Sequence, residues 1–187
     1  MQEIIIPIVA FLASLLTFFS GFGLGTLLMP VFAIFYPVEI AVALTGVVHL
    51  LNNIFKISLV FKHIDVSVVL RFGVPAIFMA ILGAMVLTGS VGEQPYHSYV
   101  WLDQTLEMTT TKTIIGSLML LFAVLEVTPS FKTWQFGKKH LIAGGALSGF
   151  FGGLSGHQGA LRSMFLLKAG LTKEQFIATG IAIACAV

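Results

Sequence analysis

Apolar residues run along this chain in long blocks, parted by short polar joints. A membrane-crossing helix needs about 20 consecutive apolar residues. The first block, Ile4 to Tyr36, is too long for one straight crossing. SGFGLG, Ser20 to Gly25, interrupts it and Pro30 follows. The pattern predicts two half-helices there, or a helix and a short re-entrant piece. Pro37 and Glu39 restart a helix expected to reach about Phe61, and a third span covers about Val66 to Thr88. Residues 88–111 form a polar connection whose Tyr96 and Trp101 suit a membrane interface. A fourth span runs from about Lys112 to Val127. A fifth region, about His140 to Ala169, is again long and glycine-broken, and a sixth span begins near Thr172 and stays unfinished at Val187. The expected fold class is all-α: a polytopic helical membrane protein.

The blocks repeat. Ser20 and Gly21 in the first broken region correspond to Ser155 and Gly156 in the fifth. PVEIAVALTG, Pro37 to Gly46, then parallels LTKEQFIATG, Leu171 to Gly180, at an offset of about 135 residues. Residues 1–131 are therefore read as a first repeat of four spans, and 132–187 as a second, incomplete repeat whose sixth helix is cut. Paired broken helices in two repeats are a transporter architecture, with the solute held near the breaks.

Charge assigns the sides. Lys56, Lys62 and Arg71 lie around the joint between spans two and three, and Lys132, Lys138 and Lys139 between spans four and five. The connection at 88–111 is acidic. The positive-inside rule puts the basic joints in the cytoplasm and the acidic one outside. Lys168 and Lys173 then fall outside, against the rule. Four crossings separate the repeats on this sidedness, so they would run parallel.

Composition narrows the classes. The chain is 57% hydrophobic and 10% charged, with mean hydropathy +1.00. No ordinary soluble domain has this balance. A net charge of +2 is too small to argue for nucleic acid. The single cysteine, Cys185, excludes an internal disulfide framework and reads as a packed thiol. Glu3 stands where a cleavable signal peptide would carry basic residues. No metal-ligand spacing, no GxxxxGK[ST] loop and no nucleophile–base pair is apparent, so neither a cofactor nor an enzyme is expected.

The chemistry concentrates in Gly144 to Leu167, an apolar stretch holding seven glycines with His157, Gln158 and Arg162. A charged side chain at bilayer depth costs at least about 2.5–3.5 kcal/mol. It persists where it faces a cavity, a partner or a transported ion. Gly152, Gly153, Gly156 and Gly159 would let backbone approach a ligand, Arg162 can grip an oxyanion with two hydrogen bonds, and Ser155 and Gln158 would add donors. Two alternatives stand beside this: Arg162 pairing with lipid phosphate, and the glycines serving helix packing. In span two, Thr45, His49, Asn52 or Asn53, and Lys56 form a polar stripe at helical spacing. The stripe would line a pathway, or else Lys56 merely snorkels to the cytoplasmic surface and an asparagine bonds a neighbouring helix. His49 and His157 would couple anion movement to protons, or else serve as hydrogen-bonded structural groups.

Three stretches resemble the sulfite exporter TauE/SafE family of permeases: SGFGLGTLLMPVF (Ser20 to Phe32), Ala41 to Ala84, and Gly145 to Gly180 with its core GGLSGHQGALRS. The resemblance implies a multi-pass bacterial inner-membrane permease with two related halves and about eight spans, moving small sulfur-containing or carboxylate anions. This chain would lack the rest of span six and the last two. The expected site combines Arg162, Ser155, Gly156, His157 and Gln158 with Ser20, Gly21 and Gly23 of the first break and His49, Asn53 and Lys56 of span two. The expected partners are a small anion and the lipid bilayer, with either a homo-oligomer or complementing C-terminal helices completing the bundle. The competing reading is a structural or assembly subunit. A channel would use the same lining residues as a carrier.

Overall fold

The computed structural model describes residues 2–20, 24–89, 93–101, 104–128 and 136–187. Eight helices carry most of them: α1 (Gln2–Ser20), α2 (Leu24–Phe35), α3 (Val38–Val60), α4 (Val66–Gly89), α5 (Thr110–Val127), α6 (Leu141–Ser155), α7 (Gly159–Leu166) and α8 (Lys173–Ala186). A helix restarts after Pro37 and the fifth region breaks near Gly156, as expected. Pro37, extended at φ −50° and ψ 147°, separates α2 from α3, and its carbonyl accepts from Ala41 N at 2.9 Å. Gly156 separates α6 from α7. The residues between α1 and α2, Gly21 and Gly23 among them, lie outside the described residues, as does Lys132.

The outer surface suits lipid. Phe11, Leu16, Leu51, Phe78 and Leu120 are all exposed. Such a continuous apolar exterior has no place in water. Among the described residues, Val38–His63 and Val66–Gly89 are long and apolar enough to cross a membrane, and Ile6–Leu16, Leu24–Phe35 and Thr110–Leu125 are shorter apolar stretches.

Lipid removes most of the hydrophobic drive between helices, so close packing must hold them. The α4–α6 contact shows how. Gly145, Gly149 and Gly153 recur every fourth residue and form one stripe on α6. A Cβ on each would collide with the carbonyl of Phe72, Ala76 and Ala80 respectively, and Gly83 of α4 meets the Phe150 carbonyl in return. The packing alternative for the glycines thus applies to Gly153, whose bare side faces α4. α4 itself carries a π-helical turn at Val69–Gly73, which sets the Phe72 carbonyl against Gly145. Asp65 caps α4 by accepting from Val68 N at 3.0 Å, and its own N–H donates to buried Thr179 of α8 at 2.9 Å. α8 also packs along α3.

The polar connection departs from the all-helical expectation. It holds an antiparallel hairpin, β1 (His97–Trp101) and β2 (Gln104–Met108), with Tyr99 opposite Leu106. The Glu93 carboxylate accepts from Thr110 N (3.1 Å) and Thr111 N (3.0 Å), and Thr109 Oγ1 accepts from Lys112 N (3.2 Å). These bonds satisfy orphan donors of the first α5 turn. The hairpin is therefore anchored on a helix end.

Candidate functional site

A cavity of about 420 Å³ lies where the α6–α7 break meets α2, α3 and α8. Gly156 is one of its lining residues. At φ 75° and ψ 6° this residue is left-handed, a conformation costly for any residue with a Cβ, and its N–H closes α6 on the Gly152 carbonyl at 2.8 Å. The chain then turns through His157 and Gln158 into α7.

Two helix N-termini open onto this cavity. Gly25 and Thr26 begin α2, and Gly159 begins α7; all three are lining residues. Neither helix has an acid in its first turn, and Gln158 gives α7 no side-chain cap. At α7 the uncapped N–H groups and the positive dipole end are favourable for an anion. The two are adjacent, since a Cβ on Gly25 would stand 2.7 Å from the Gly156 carbonyl oxygen.

Arg162 comes from the first turn of α7, one turn after Gln158, whose carbonyl accepts from Arg162 N at 2.9 Å. Its side chain is only 7% exposed and lines the cavity. Among the described residues no carboxylate pairs with it and no carbonyl accepts from its guanidinium. Gly180 of α8 packs beside it, a Cβ there standing at ordinary contact distance, 3.8 Å, from Arg162 Nε. Lys56, also buried, lines the cavity with His49, Asn52 and Asn53 of the α3 stripe. The described lining holds no aspartate or glutamate. Its fixed charge is positive, and in a low-dielectric setting this attracts an anion strongly.

The histidine of the break is held tightly. His157 Nδ1 lies 2.7 Å from the Ser155 carbonyl, and its ring stacks on Phe122 of α5 at 6.2 Å and 8°. Three buried polar atoms near the cavity have no partner among the described residues: His49 Nε2, His157 Nε2 and Gln158 Oε1. Buried polar groups are seldom left so, and they cluster where a ligand or water belongs.

Of the residues singled out in the sequence, Arg162, Gly156, His157, Gln158, His49, Asn53 and Lys56 line this one cavity. Ser155 does not. It is fully buried and its hydroxyl donates to the Phe151 carbonyl at 2.9 Å, inside its own helix. Thr45 likewise turns inward, bonding the Ala41 carbonyl at 2.8 Å and packing beneath Gly156. Ser20 ends α1, and Gly21 and Gly23 lie outside the described residues. Sequence reasoning missed the contribution of α8, through Gly180 and Cys185. The parallel of ALTG with IATG held the signal, because it pairs Gly46, a lining residue, with Gly180 beside Arg162.

A family model described as sulfite exporter TauE/SafE matches residues 6–187. No curated protein and no solved structure matches the chain.

Proposed function

The chain belongs to the sulfite exporter TauE/SafE family, whose members are integral membrane transporters, and from that premise we propose that this cavity binds a small anion in transit. The observation that carries the reading is Arg162: a buried guanidinium with no protein partner among the described residues, in a cavity lined by no described carboxylate. Burying an unpaired cation is expensive, and a bound anion removes that cost.

The guanidinium grips an oxyanion or carboxylate through two parallel hydrogen bonds. N–H groups opening α7 complete the shell, and Lys56 adds attraction without a fixed geometry. The substrates are of the sulfite, organosulfonate or carboxylate class. On this reading residues 1–131 and 132–187 are two related repeats, with the α6–α7 break of the second lying at the site. Rocking of one against the other alternates access from the two sides of a bacterial inner membrane. The membrane potential favours exit of an anion by about 2.3 kcal/mol per charge per 100 mV.

The test is binding of sulfite, sulfate, sulfoacetate and short carboxylates to purified protein, by calorimetry and thermal shift. Arg162→Ala is expected to remove binding, a loss of at least about tenfold in affinity for a charge-assisted bidentate pair. Unchanged affinity in a folded variant overturns the assignment.

A further inference from the structure

We infer that α6 and α7 form a re-entrant hairpin, entering and leaving the membrane on the side of Lys62, and that this side is one cationic face seated on anionic lipid headgroups. Its consequence for the repeats rests on the pairing proposed above.

Helix length poses the question. α6 has 15 residues and α7 has 8. At about 1.5 Å per residue α6 reaches about 22 Å, short of a hydrocarbon core of about 30 Å. Placed end to end the two helices cross; folded back they do not. The contacts decide for folding back. Ser148 of α6 donates to the Gln158 carbonyl at 3.1 Å. One turn earlier on α6, a Cβ on Gly144 would collide with the Phe165 ring near the end of α7. Just before α6, Phe136 stacks on the same ring at 4.6 Å, and its N–H donates to the Met164 carbonyl at 3.3 Å. Gly137 pairs with Lys168, and a Cβ on Gly170 would stand 3.0 Å from the Lys138 side chain. The start of α6 and the end of α7 therefore lie together.

α8 then begins where α3 ends. Thr179 accepts from Asp65 N–H at 2.9 Å in the α3–α4 joint, and Glu174 lies within electrostatic reach of His63. Further along α8, Cys185 lines the cavity with His49 of α3. The two helices run antiparallel, yet they carry the paired segments LTKEQFIATG and PVEIAVALTG. The repeats are thus inverted. The parallel arrangement expected from the sequence is corrected, because the fifth region does not cross and three crossings, not four, separate the starts of α3 and α8.

Lys168 and Lys173, which stood against the positive-inside rule, thereby join Lys62, Lys138 and Lys139 at one end of the bundle. All five are exposed. Phe61, Ile142, Leu167 and Ile177 are exposed nearby, so the ammonium groups stand where lipid-facing surface gives way to water. These lysines outnumber the acids of that end, Asp65, Glu126 and Glu174. A face of this sign fits phosphate headgroups.

The native lysines test the hairpin without any substitution. A membrane-impermeant amine reagent is applied to right-side-out and to inverted membrane vesicles, and modified peptides are read by mass spectrometry. Lys112, bonded to the Glu107 carbonyl of the β-hairpin, is the reference for the opposite side. Lys168 and Lys173 are expected to react in inverted vesicles with Lys138 and Lys139, and to be spared in right-side-out vesicles, where Lys112 reacts. Either one reacting in company with Lys112 overturns the hairpin. Headgroup contact is read on purified protein in neutral detergent. Added phosphatidylglycerol is expected to raise the melting temperature above its value with phosphatidylcholine, and high salt to remove the difference. Lys168→Gln combined with Lys173→Gln should shrink it. Equal melting temperatures with the two lipids, or an undiminished difference in the double variant, overturn the headgroup assignment. Sidedness and anion affinity are read separately. Lys168 on the wrong side leaves the anion site standing, and anion binding that ignores Arg162→Ala leaves the hairpin standing.

Discussion

Gly25 and Gly156 stand in backbone contact, the start of α2 against the turn that ends α6, with 2.7 Å between the Gly156 oxygen and any Cβ placed on Gly25. One half of the cavity wall is thus seated directly on the other. Gly25→Ala should force the two breaks apart, costing about 1–3 kcal/mol of stability and weakening anion binding. Gly46→Ala supplies the contrast. It lines the same cavity, but a Cβ there meets nothing within 4 Å. It should leave thermal stability unchanged or raise it, as alanine favours helix by about 1 kcal/mol over glycine. Equal melting temperatures for the two variants would refute the contact.

The stripe on α6 predicts a second asymmetry. Gly149→Ala drives a methyl group into the Ala76 carbonyl of α4. Backbone cannot change rotamer to make room, so a loss of about 1–3 kcal/mol is expected. Gly116→Ala on α5 meets open space and should be tolerated. Thermal unfolding in detergent separates them, and a harmless Gly149→Ala would show that the helices are not packed this closely.

The hairpin anchor predicts a pH dependence. Hydrogen bonds from the α5 N-terminus hold the Glu93 carboxyl at about 2, well below its ordinary 4.5. A folded value lower than the unfolded one means that the group stabilises the fold above pH 4.5 and loses this contribution as pH falls toward 2. Glu93 is fully exposed, so the effect is confined to the local structure. Amide exchange at Thr110 and Thr111 should accelerate over that window, and Glu93→Gln should show the faster exchange at neutral pH. Exchange indifferent to both changes would dismiss the cap.

Much of this fold was legible because lipid simplifies the code. Long apolar blocks mark helices, and Pro37 and the Gly-rich run near Gly156 mark where they stop. The residues costly at that depth, Arg162, His157, His49 and Lys56, were conspicuous for that cost, and the fold brings them to one cavity. The hairpin was hidden because its residues mix aromatic and polar types without clear alternation across His97 to Met108. The division of labour among glycines was hidden as well. Spacing by four is equally suited to ligand approach and to helix contact. Only the partner helix shows that Gly145, Gly149 and Gly153 serve contact while Gly156 serves the turn. Ser155 misled for a related reason, since a hydroxyl one residue before the break can bond its own helix and leave the cavity to its neighbours.

The stripe at Gly145, Gly149 and Gly153 also limits how the molecule can work. Two backbones nested with no side chain between them have no lubricating layer. Sliding by one residue would drive carbonyl oxygens into Cα atoms, so α4 and α6 travel as a single strut. Any rocking of the second half against the first must therefore carry α4 along with α6, so a helix that precedes the second half in the chain would move with it.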